Sequence, residues 1–175
     1  MPPKKSATSE PPSRRVRKRA DSAGDALPES IAIEERAEPF RLMTVKFPID
    51  EVTAKWSMGS NRDIDTKHVH QLCQLFDEHS LQRQDRAHRA RLLCRAEDVR
   101  AMCDHLGIDA APNDDSSDPP FFEGWSTITS SSAELLAGNH RIHALKAFLE
   151  QRKITDKGDR WWVCDIFDRG GFPSC

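Results

Sequence analysis

The spacing of apolar and polar residues changes several times after residue 40, and each change marks an element. In the run Phe40-Arg41-Leu42-Met43-Thr44-Val45-Lys46-Phe47-Pro48-Ile49, apolar Leu42 and Met43 lead into alternating Val45 and Phe47, which predicts a strand. Residues 50–64 read as a connection, with Gly59, Ser60 and Asn61 as turn formers. Val69, Leu72, Cys73 and Phe76 then fall at i, i+3, i+4 and i+7. They form one apolar face of a helix over about 66–79, with Asp65 or Thr66 as its cap. Arg91-Leu92-Leu93-Cys94 predicts a short strand. Val99, Met102, Cys103 and Leu106 share the apolar face of a second helix near 96–106, with Gly107 as its stop. Residues 109–120 read as an acidic loop, and Phe121 to Thr129 as extended chain. Ala133 to Ala137 predicts a strand. Arg141 to about Gln151 predicts a helix that buries Ile142, Leu145, Phe148 and Leu149. Arg160 to Phe167 is apolar on both faces, which predicts a central strand. Trp161 and Trp162 on that strand point to opposite faces, and core packing on both sides is expected. Alternating strands and helices give an α/β or α+β class.

Residues 1–39 follow neither spacing. They are rich in Pro, Ser and charge, and such a segment buries too little apolar area to offset its ordering entropy, so a disordered tail is expected. Composition sharpens this division. The 175-residue chain is 37% hydrophobic and 31% charged, with a formal net charge of -2. That figure conceals a basic segment, with Lys4, Lys5, Arg14, Arg15, Arg17, Lys18 and Arg19, followed by an acidic one, with Asp21, Asp25, Glu29, Glu34, Glu35 and Glu38. The basic residues form two clusters with a spacer, the pattern of a two-part nuclear localisation signal read by a nuclear import receptor. The other reading is a solvated basic tail that touches nucleic acid through phosphates. The expected compartment is the nucleus, or otherwise the cytoplasm. No apolar run reaches the roughly 20 residues of a membrane span, and no secretory signal is read, so no membrane partner is expected. The five scattered cysteines suit reduced thiols in an intracellular compartment.

Candidate chemistry centres on Leu135-Leu136-Ala137-Gly138-Asn139-His140-Arg141. A glycine after a buried strand permits a tight reversal, and Asn139 suits a helix N-cap. His140 and Arg141 put positive charge in a first helical turn, where the helix dipole disfavours it; a bound anion would compensate. Arg141 can grip phosphate oxygens through two donors, and His140 can donate as well. Spacing alone does not choose between a phosphate-holding loop and the start of an ordinary core helix.

Gly138-Asn139-His140-Arg141, followed by Ala144, resembles the signature turn of the ParB/sulfiredoxin-like superfamily. Its members carry Gly-Glu-Arg-Arg (chromosome-partitioning ParB proteins), Gly-Cys-His-Arg (sulfiredoxins) or a related Gly-x-His-Arg (free serine kinases). The strand at Val45–Ile49, Asn61-Arg62 as an Asn-Pro-Arg-type box, and the helix with Val69, Leu72 and Phe76 are similar to the family's upstream elements in the same order. The resemblance spans roughly 40–168, interrupted by an inserted helix and acidic loop at about 95–120, with 169–175 as a C-terminal tail. It implies a small mixed sheet with flanking helices. It also implies a nucleotide, ATP or CTP with Mg²⁺, whose phosphates lie on Gly138, Asn139, His140 and Arg141, with Arg62 as a further contact. Asn139 stands where sulfiredoxins carry their cysteine and ParB proteins a glutamate, so sulfinic acid reduction is not expected. Nucleotide hydrolysis or phosphoryl transfer is the class implied for any enzyme. No helix-turn-helix pattern follows the last strand, so ParB-type sequence-specific DNA binding is not implied. A non-catalytic family member acting as a protein or nucleic-acid interaction module is the alternative, and a ParB-like nuclease the third reading.

Other clusters read as structural. The seven histidines lack zinc-ligand spacing, and no metal site is expected. Asp63, Asp65, Asp77 and Glu78 are weighed as a base or Mg²⁺ ligands, but a cap and solvated positions account for them. Glu134 reads as exposed. The basic run Gln82 to Arg91 lacks interleaved aromatics and reads as a solvated loop.

Overall fold

A computed structural model describes residues 36–56, 59–111 and 118–171. The basic clusters between Lys4 and Arg19 lie outside the described residues. Alternating side chains build a five-stranded mixed sheet from β1 (Arg41–Pro48), β2 (Val52–Thr53), β5 (Ala90–Cys94), β6 (Ala133–Ala137) and β7 (Trp161–Asp168), in the order β1-β7-β5-β6-β2. β1 runs antiparallel to β7, β7 parallel to β5, β5 antiparallel to β6, and β6 parallel to β2. Two short strands, β3 (Lys55–Trp56) and β4 (Gly59–Ser60), pair as a hairpin beside it. Among the described residues there are four α-helices: α1 (Thr66–His79), α2 (Ala96–Leu106), α3 (Trp125–Ile128) and α4 (Asn139–Gln151). The class is α+β, as the spacing predicts.

Period-two alternation gives the sheet two unlike faces. Met43, Val45, Phe47, Ala90, Leu92, Cys94, Leu135, Trp162, Cys164 and Ile166 meet residues of α1, α2 and α4 in the main core. α1 packs on α4: the Cys73 thiol donates to the Ala144 carbonyl at 3.4 Å, and the Phe76 ring meets Phe148 edge-on at 5.9 Å. The alternate positions face the other way. There Leu93 and Phe167 form a small cluster with Ala37, flanked by Leu136.

Several expectations need correction. Phe121 to Thr129 is not extended throughout: after an isolated bridge from Phe121 to Lys46, Trp125–Ile128 makes one helical turn. The buried Trp125 indole holds it there, donating to the Ser131 carbonyl at 2.9 Å. Trp162 is core, but Trp161 is half-buried beneath two cations, with the Arg83 guanidinium 4.4 Å and the Lys46 ammonium 5.3 Å from its ring centroid. Glu134 is buried, and Arg169 pairs with it at 2.9 Å. Leu106, expected on the apolar face of α2, is exposed.

Candidate functional site

β6 ends against the start of β5, and α4 leaves from the same point. Gly138 makes that reversal in left-handed backbone, with φ 97°, and occupies the N-cap position itself. Asn139 is therefore not the cap. It sits buried in the first turn, and its Nδ2 lies 3.5 Å from the Arg62 carbonyl. The backbone φ is one reason for glycine, and close approach is another. A Cβ at position 138 would stand 2.9 Å from the Ala90 Cβ and 3.1 Å from its Cα. A neighbouring strand, not a ligand, fills the space that the missing side chain leaves.

The other residues expected at the turn divide between two surroundings. His140 Nε2 accepts the Asp65 N–H at 3.0 Å, which assigns the ring proton to Nδ1. Asp65 caps α1, accepting from the amides of Lys67 and His68, so His140 ties the start of α4 to the start of α1. Arg62 is exposed on the same side, and Asn61 anchors this loop by donating to the carbonyls of Ala54 and Leu135 at 2.6 and 2.7 Å. Arg141 points the other way. Its Nη1 donates to the His88 carbonyl at 3.1 Å, and the Trp162 indole donates to the same oxygen at 2.8 Å.

Gly138 and Arg141 line a cavity of about 1140 Å³ on the face of the sheet opposite the main core, together with Arg86, Arg89, Arg91, Glu38, Asp85, Asp165 and apolar groups that include Ala37 and Phe167. Neither Arg62 nor His140 is part of this lining. The basic run 82–91 is solvated only in part: Gln82 and residues 84–87 are exposed, as expected, whereas Arg89, Ala90 and Arg91 turn into the fold. A 3-10 turn at Arg86–His88, capped by the Asp85 side chain on the Ala87 amide, delivers it to the cavity wall. The Arg89 side chain is only 7% exposed, lying 3.3 Å from Asp165 Oδ1, and Thr44 Oγ1 donates to that same oxygen at 2.6 Å. The sequence signal was present in the arginine spacing. Arg89 and Arg91 share one side of an extended segment, but their surroundings come from positions some fifty residues away or more.

The cavity is basic without being uniformly so, with four arginines against three carboxylates. Each carboxylate has a partner within the fold: Glu38 accepts from Arg41 at 2.8 Å, Asp85 caps the 3-10 turn, and Asp165 holds Thr44 and Arg89. Burial pulls the Arg141 guanidinium below its ordinary pKa, and Asp85 works against that shift. Arg141 is thus a charge that gains from an anion beside it. Among the described residues no group of three or more His, Cys, Asp or Glu is arranged to hold a metal ion. Cys73, Cys94, Cys103 and Cys164 are buried, and burial raises all four thiol pKa values, so none offers a ready thiolate.

Residues 42–172 match the family model described as Protein of unknown function (DUF3723) N-terminal domain. No curated protein and no solved structure matches the chain.

Proposed function

The chain belongs to the family of DUF3723 N-terminal domains, and from that premise we propose that it binds the phosphates of a nucleotide in the arginine-lined cavity. One observation carries this reading: Gly138 and Arg141 share that cavity with Arg86, Arg89 and Arg91. Its volume, about 1140 Å³, lies just above the roughly 300–1,000 Å³ of small-molecule sites and leaves room for a mononucleotide. Arg141 has donors left beyond the one given to His88, and a guanidinium fork matches two phosphate oxygens. The start of α4 adds its dipole, with no acidic residue in its first turn and no side-chain cap. The resemblance of the 138–141 turn to ParB/sulfiredoxin-like proteins is the reason to nominate ATP or CTP over other phosphates. Mg²⁺ would arrive as the counter-ion of the nucleotide.

The geometry supports binding better than turnover. The three cavity carboxylates hold the fold's own partners, so among the described residues of the lining none is left over as a base to activate a water or hydroxyl. A non-catalytic binding module fits this better than a hydrolase or a nuclease.

Titration of the full chain with ATP, CTP and ADP, each with Mg²⁺, tests the reading. At least one should bind at millimolar concentration or tighter, and Arg141→Ala should weaken it by about tenfold or more. Arg141→Lys, which keeps charge but loses the fork, should fall between. Failure of all three nucleotides to bind would sink the proposal.

We also propose that the basic segment directs nuclear import. Alanine at Arg14, Arg15, Arg17, Lys18 and Arg19 should shift a fluorescent fusion from nucleus to cytoplasm, and an unchanged distribution would count against it.

A further inference from the structure

The described chain enters at the rim of the arginine cavity. Ala37 is buried against Leu93 and Phe167, and Glu38 is part of the cavity lining. The fifteen residues before Arg36 contain Asp21, Asp25, Glu29, Glu34 and Glu35 and no lysine or arginine. Glu35 is two residues from Ala37, so no more than about 7 Å of chain separates their Cα atoms. An acidic stretch is therefore tethered at the mouth of a cavity that presents Arg86, Arg89, Arg91 and Arg141.

We propose that the acidic stretch 21–35 of this same chain occupies the arginine-lined cavity and competes there with phosphorylated ligands. Two observations converge on this occupant. The charges are complementary: the stretch carries five carboxylates and no cation, and the cavity has four arginines against three carboxylates that already hold partners of the fold. Tethering raises the local concentration of the stretch to the millimolar range without any new interaction. The apolar part of the rim suits the stretch as well, since Ile31 and Ile33 lie between its acids and the wall carries Phe167 and Ala37. Carboxylates imitate phosphate charge but carry one negative charge each, which makes them displaceable by a triphosphate. The inference rests on the nucleotide reading only in naming the ligand that is displaced.

Two measurements on the full chain test it. In Arg91→Lys, a water-soluble carbodiimide should join the new amine to a carboxylate within 21–35, read by mass spectrometry of the digest. Mixing ¹⁴N- and ¹⁵N-labelled protein should give no mixed-label product. A lysine joined only to Asp165, joined to a second copy, or not joined at all would overturn the proposal. Separately, the combined variant Asp21→Asn, Asp25→Asn, Glu29→Gln, Glu34→Gln and Glu35→Gln should bind ATP about tenfold more tightly at low salt. That gap should close as salt rises. If the cross-link forms and neither protein binds ATP, the nucleotide reading falls while the cis occupancy stands. If wild type and variant bind ATP equally, competition is refuted while the nucleotide reading survives.

Discussion

Gly138→Ala is expected to destabilise the domain by about 3 kcal/mol, combining left-handed strain of roughly 1 kcal/mol with overpacking of about 1–3 kcal/mol. The backbone there has φ 97°, and the new methyl would meet the Ala90 Cβ at 2.9 Å and Cα at 3.1 Å. Ala90 has no flexible side chain to withdraw, and it lies on an interior strand paired with both β6 and β7. Relief must come from moving β5 or the α4 entry. Urea unfolding reads the effect as a lower midpoint with an unchanged slope. Adding Ala90→Gly should restore only part of the loss, because the crowding against the backbone of β5 and the left-handed strain both remain. A loss under about 1 kcal/mol would contradict the close approach of turn to strand.

Asp165→Ala should have a comparable cost, about 3 kcal/mol, and an opposite effect on ligand binding. The Thr44 hydroxyl donates to Asp165 and accepts from Arg41 at 3.2 Å and from Arg89 at 3.4 Å. Deleting the carboxylate removes the anion 3.3 Å from Arg89, which is 7% exposed, and the Asp165 acceptor of the Thr44 hydroxyl. Asp165→Asn, which keeps an acceptor for Thr44, should lose less. Both changes remove a negative charge from the cavity wall, so ATP affinity should rise at low salt while thermal stability falls. Affinity that falls in step with stability would show that the wall acts by shape and not by charge.

The parts of the fold that follow a repeating spacing were legible in the sequence. Val69, Leu72, Cys73 and Phe76 identify α1, and the two-sided apolar run at residues 160–167 identifies β7 as an interior strand. The parts set by partners distant in sequence were not. One turn at Trp125–Ile128 is too short to show a helical period, and an indole anchored to Ser131 fixes it. The arginines of residues 82–91 look solvated by composition. Arg83 on Trp161 and Arg89 on Asp165 each depend on a partner more than seventy residues away. The turn at Gly138 was legible as a strand-to-helix reversal. Its two directions were not: His140 faces the start of α1 and Arg141 faces the cavity, and adjacent positions on a helix diverge by about 100°.

The His88 carbonyl receives both the Arg141 guanidinium and the Trp162 indole. An acceptor divided between two donors makes each bond depend on the other. A ligand that draws Arg141 away leaves His88 to the indole alone, and that indole lies in the main core against Phe76. Should a ligand occupy the arginine-lined cavity as proposed, its arrival is expected to register in the emission of an indole on the opposite face of the sheet, an optical gauge built into the domain.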